Sequence, residues 1–181
     1  MTNKKIEVSV ALAPSVFVLM SVALAAQDKY TLKFANGIAF SGFRHYESCQ
    51  TVAVSQTDSG IKAILASTTM IKAYREGAPD NGKPFPDDSK IVKIEWNKGP
   101  NPVSPYSVNV PGPLKSVSFI ERDSKRFPGT RNWEYAQFLH DPATKTFKPS
   151  GTTATVAKTF CYHCHTLVKQ RDYIFTHCVQ R

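Results

Sequence analysis

The sequence predicts an α+β domain, mainly an antiparallel β-sheet with a few helices, and three observations lead there. Residues 51–55 and 61–65 are β-forming runs on either side of the turn-forming residues 57–60, the pattern of a hairpin. Residues 91–96 alternate, with Val92, Ile94 and Trp96 on one face and Ile91, Lys93 and Glu95 on the other. Helical spacing is confined to a short stretch around Met70 and to the tail from Cys161 onward. At 181 residues the chain is long enough for one domain with a real core and short for two. A hydrophobic share of 41% with 20% charged residues suits a globular chain and argues against long disorder or a solenoid.

Taken in order, the first residues read as a secretory signal. Lys4 and Lys5 form a basic start, Val8 to Leu24 is mostly apolar, and Ala23, Leu24 and Ala25 offer a small-x-small cleavage site. Pro14 interrupts the apolar run, which is barely long enough to span a bilayer, so a cleaved signal over 1–25 and a domain over 26–181 are expected. The formal net charge of +9 becomes +8 when Lys4, Lys5 and Glu7 leave with the signal. An exported basic domain suits acidic partners and weighs against nucleic acid, and the scattered lysines and arginines have the pattern of a solvated surface.

After the hairpin, Ser67 or Thr68 can cap a short helix through Met70, Ile71 and Tyr74, with Gly77 placed to end it. Residues 78–89, rich in Pro, Gly, Asp and Asn, read as a loop. The strand at 91–96 is followed by 97–113, whose five prolines and two glycines predict a long connection with one short extended piece at 106–110. Lys115 to Glu121 and Trp133 to Leu139 carry β-branched and aromatic residues and predict two more strands around the turn-rich 123–131. In the tail, Leu167, Val168, Arg171 and Ile174 have helix-compatible spacing.

The chemistry lies in Cys161, Cys164 and His165, a C-x-x-C-H sequence. Two thiols at that spacing reach the two vinyl groups of one porphyrin as thioethers, and the following imidazole drops onto the iron. One covalently attached haem c is therefore expected, with His165 as proximal ligand and His163 exposed inside the attachment loop. Zinc would need a second ligand pair, and a C-x-x-C redox pair would sit at a strand-to-helix turn near the front of a βαβ unit. Neither context is evident.

The other side of the iron decides the function. Met70 is the only methionine left after signal removal, and its place on the apolar side of a capped helix reads as core packing. His45 and His140 lie beside a turn and a strand end, and His177 lies about 18 Å along the tail from His165 if that helix is continuous. All three read as surface histidines. The sixth position is thus expected to be open, which suits small-ligand binding or catalysis, whereas a Met or His ligand would make a simple electron carrier. Cys49 and Cys178 either form a disulfide or stay separate thiols.

The chain resembles the cytochrome P-460 family, which includes the cytochromes c′ of the β type. The similar stretches are residues 43–57, Met70 through Trp96, residues 117–127 with Asn132 and Trp133, and Cys161 through Phe175. The resemblance implies a β-rich homodimer with a five-coordinate haem in an enclosed pocket. P-460 members oxidise hydroxylamine and carry a lysine bonded to the porphyrin edge, whereas c′-β members lack that bond and bind nitric oxide under an aromatic cap. Lys93 is similar to the cross-linking lysine, with Lys90 the alternative on the opposite face, although alternation alone makes Lys93 a solvent-facing residue. Oxidation of hydroxylamine also needs a proton acceptor. Ser118 stands where some members have a carboxylate, and Glu95, two residues from Lys93, could take that role or form a surface ion pair. Phe119 and Phe127 are either part of an aromatic cap or core. The first expectation is hydroxylamine oxidation with electrons passed to an accepting cytochrome, and the second is nitric oxide binding without turnover.

Overall fold

A computed structural model describes residues 26–46 and 49–178. The signal read over residues 1–25 lies outside the described residues. Six strands form one antiparallel meander in sequence order: β1 (Gln50–Thr57), β2 (Gly60–Ala66), β3 (Lys90–Pro100), β4 (Asn109–Arg122), β5 (Trp133–Asp141) and β6 (Thr146–Pro149). This is the expected mainly antiparallel α+β architecture. Helix α1 (Thr68–Arg75) joins β2 to β3, and Ser67 caps it, its Oγ accepting the Met70 N–H at 3.4 Å. Gly77 follows with φ +94°, a left-handed turn that costs glycine little. Among the described residues no helix is long and apolar enough to cross a membrane.

The register assigns side chains to two faces, because directly paired residues point the same way. Val92 pairs with Phe119 and Phe119 with Ala136, while Ile94 pairs with Val117 and Val117 with Phe138. This face is the aromatic core. It is covered by the N-terminal segment, in which the 3-10 helix Phe40–Phe43 brings Phe43 to stack on Phe119 at 4.1 Å and Phe40 edge-on at 4.9 Å. Phe119 and Phe127 are both buried core side chains, as is Met70. The opposite face carries the row Ile64, Lys93, Ser118 and Gln137, one residue from each of four neighbouring strands. The C-terminal segment covers that second face, so the solvent exposure that alternation alone assigned to Lys93 does not hold.

Two sequence expectations are corrected. The residues between β3 and β4 are not a long connection: both strands run on into the proline-rich stretch, pairing Lys98 with Pro111 and Gly99 with Val110. The prolines of β4 are tolerated because β5 pairs with β4 only from Ser116 onward, so among the described residues the outer part of β4 has one unpaired edge, where proline's missing N–H breaks no ladder bond. The tail is not one helix running to His177. It is helical from Ala154, passing through α2 (Ala154–Val156), a π-helical Ala157–Tyr162, α3 (His163–His165) and a 3-10 stretch Thr166–Arg171 that is kinked at Val168. It stops where Asp172 and Tyr173 take φ of +49° and +63°.

Candidate haem site

A cavity of about 310 Å³ lies between the second sheet face and the tail. Its sheet wall includes Ile64, Lys93, Ser118 and Gln137, and its other wall includes Cys161, His165, Ile174 and Phe175. Cys161 and His165 of the C-x-x-C-H and the predicted cross-linking lysine, separated by nearly seventy positions in the chain, therefore meet in one space. Cys161 lines the cavity, Cys164 is exposed three residues on, and the two lie on one side of the helical stretch. The π-helical turn that holds Cys161 is a form often found at functional positions.

His165 is held by its surroundings. Its Nδ1 lies 2.5 Å from the Tyr173 carbonyl, to which it donates in the tautomer that leaves Nε2 open for a metal. The imidazole packs on the Tyr135 ring at 4.6 Å and on the edge of Phe175 at 5.0 Å. Burial pushes its pKa down, the Tyr173 carbonyl pushes it up, and the Lys93 charge pushes it down again, which favours the neutral, ligating imidazole. The carbonyl is in place because the tail is tied down on either side of it. Asp172 Oδ2 accepts the Phe85 N–H at 2.8 Å, the Tyr74 hydroxyl donates to the Thr176 carbonyl at 2.9 Å, and Ile174 is buried.

Lys93 faces the cavity from the middle of β3. Burial depresses its pKa, Glu95 and Cys161 oppose that, and Lys62 and Lys115 add to it. More of the amine is thereby neutral, the form that can act as a nucleophile. Lys90 is on the other face, donating to the Gly42 carbonyl at 3.1 Å and ion-paired with Glu121 at 3.5 Å. Glu95 shares the Lys93 face but does not line the cavity; it is 7% exposed and its carboxylate accepts from Lys115 Nζ at 3.0 Å. His163 and His177 are exposed, and His140 Nδ1 sits 3.2 Å from the Leu114 carbonyl. His45 is exposed, Cys49 packs at the edge of the core, and Cys178 is exposed.

The donor set fits a covalently held haem: paired thiols, an imidazole with its second nitrogen engaged, and an apolar-lined space above them. Among the described residues no three His, Cys, Asp or Glu side chains gather as a metal-binding group. A family model, Cytochrome P460, matches residues 41–176. The chain belongs to the cytochrome P460 family. Members of that family bind covalently attached c-type haem, and the C-x-x-C-H of this chain falls inside the matched region. No curated protein matches the chain. As a member of the P460 family, this protein carries the C-x-x-C-H residues Cys161, Cys164 and His165 on the tail, and presents Lys93 from the sheet.

Sequence reasoning missed Lys62, Tyr135, Gln137, Asp172 and Tyr173. The first three become visible only when the register lines them up with Lys93 or packs them on His165. Asp172 and Tyr173 matter through a backbone turn that ordinary side-chain patterns do not announce.

Proposed function

We propose that this protein binds a small nitrogenous molecule at an open haem position and oxidises hydroxylamine, with Lys93 bonded to the porphyrin edge. The observation that carries this reading is the placement of the Lys93 amine in one cavity with Cys161 and His165. Bound haem supplies the redox chemistry and the metal site for the ligand. The chain's own residues do the rest. His165 is oriented by Tyr173, Lys93 is kept nucleophilic by burial, and the apolar lining excludes water. Electrons pass to an accepting cytochrome, in a compartment reached through the signal over residues 1–25, and the family resemblance adds a homodimer.

A second reading, binding of nitric oxide without turnover, is favoured by one specific observation. Among the described residues no carboxylate lines the cavity, and Ser118 is the residue paired directly with Lys93. Glu95, the carboxylate on the Lys93 face, would have to be released from Lys115 to act as the proton acceptor.

The test is mass spectrometry of a protease digest of the haem-loaded protein. The first reading expects the peptide containing Cys161 and Cys164 to carry both haem and the Lys93 peptide, and hydroxylamine to be consumed with an electron acceptor present. Haem held by the two cysteines alone would move the assignment to nitric oxide binding. Protein matured with haem-attachment machinery yet free of porphyrin would end both.

A further inference from the structure

The polar lining of the cavity is all donor-bearing. Lys62, Lys93, Ser118, Tyr135 and Gln137 face it, and among the described residues no Asp or Glu does. The Ser118 and Tyr135 hydroxyls are buried without a hydrogen-bond partner among the described residues, and Tyr135 is 2% exposed. Buried hydroxyls are ordinarily paired, so two of them around one space point to an acceptor that enters it.

The charge distribution says which kind of acceptor. Lys62 and Lys93 stand on the same face of neighbouring strands: Lys93 pairs with Ile64 and Lys62 with Glu95. Glu95 would be the natural counter-charge, but its carboxylate is bound by Lys115 at 3.0 Å. Among the described residues no carboxylate comes within ion-pairing distance of Lys62. A partly buried ammonium in a space with few competing waters attracts an anion more strongly than one on an open surface. Lys62 keeps this charge even if Lys93 is consumed in a bond to the porphyrin.

We infer that the cavity selects small monoanions with a nitrogen or oxygen donor atom as iron ligands, Lys62 supplying the charge and Ser118 a hydrogen bond. The inference rests on the open haem position of the proposed function. It goes beyond it by making ligand charge the selected property. A porphyrin propionate is an anion too, and could be the group that Lys62 meets, so the experiment separates the two.

Azide, nitrite and neutral nitric oxide are titrated into ferric, haem-loaded full-length protein at low ionic strength, following the Soret band. Lys62→Gln is expected to weaken azide and nitrite about tenfold, equivalent to ~1.4 kcal/mol, and to leave nitric oxide within about twofold, a neutral ligand gaining nothing from the charge. Lys62→Arg keeps the charge and is expected to restore azide affinity to within about threefold. Unchanged azide affinity in Lys62→Gln, or an equal loss for nitric oxide, overturns the inference. So does a Lys62→Gln protein whose unliganded reduction potential moves while azide affinity stays, the mark of a propionate partner. Should Lys62→Gln fail to fold, wild-type azide binding carries the test: it must weaken with salt, and a flat response overturns the inference. Failure of the haem reading itself is told apart by the missing Soret band before any ligand is added.

Discussion

Replacing Asp172 tests how the fold sets the proximal ligand. Asp172 accepts the Phe85 N–H at 2.8 Å, lies 4.0 Å from Arg122 Nε, and occupies a left-handed backbone position with φ +49°. Asp172→Ala leaves the Phe85 N–H without its acceptor, a loss of roughly 1.5–3 kcal/mol for a bond to a charged group. It also puts a residue less tolerant of that φ at the turn, for about 1 kcal/mol more. The sum, about 2.5–4 kcal/mol, is a large part of the ~5–15 kcal/mol that holds a typical domain together. Asp172→Asn keeps an acceptor oxygen and a tolerant side chain, so it should cost about 1 kcal/mol or less. Urea denaturation of the haem-loaded protein measures both. The adjacent Tyr173 carbonyl holds His165, so the alanine variant should also shift the iron–histidine stretching frequency, and the asparagine variant should shift it less. Equal costs for the two variants, or an alanine cost under about 1 kcal/mol, would refute the reasoning. There is a pH signature as well. Burial raises the Asp172 pKa, against the Phe85 N–H, the Trp133 side chain and Arg122. The folded chain therefore holds this proton more tightly than the unfolded chain, and this residue's contribution to stability falls as pH rises from about 4 through the folded value. Asp172→Asn removes that fall, and an unaltered slope would contradict it.

Three further outcomes are expected. Phe119→Ala should cost about 3–5 kcal/mol by urea denaturation, because the ring is fully buried between Phe43, Phe40 and Phe138, and a cost near 1 would mean the core collapses into the gap. Ser67→Ala should cost about 1–2 kcal/mol, since Ser67 Oγ accepts from both Met70 N–H at 3.4 Å and Lys90 N–H at 3.1 Å; no loss would show the cap is dispensable. Lys90→Gln should leave the haem peptide unchanged in the digest and cost about 1 kcal/mol, because Glu121, though buried, keeps its ion pair with Arg126 at 3.1 Å; loss of a lysine–haem linkage in this variant would reassign the cross-link from Lys93 to Lys90.

The parts legible in the sequence were those whose cause is local. The hairpin of β1 and β2, the Ser67-capped α1, and the cores of β3, β4 and β5 follow from turn residues and alternation within a few positions. The prolines between β3 and β4 misled because whether a missing N–H costs anything depends on having a neighbour strand, and Ser116 is where β5 begins to pair. The tail misled because apolar spacing continues to Ile174 while the backbone turns left-handed at Asp172, held there by Phe85 from a distant loop.

By itself, the sequence determined the chemistry on offer: C-x-x-C-H places two thiols and an imidazole within reach of one porphyrin, a property of spacing alone. It also determined that Lys93 and Glu95 share one face of a strand and Lys90 the other. Only the tertiary structure decided which face is the pocket. Alternation sorts side chains into two sets without saying what covers either. Here the aromatic N-terminal segment takes one face and the haem-motif segment the other, so Lys93 is enclosed with Cys161 and His165 while Glu95 is drawn to Lys115. Covering a face is a contact between residues far apart in the chain, and no local pattern encodes it.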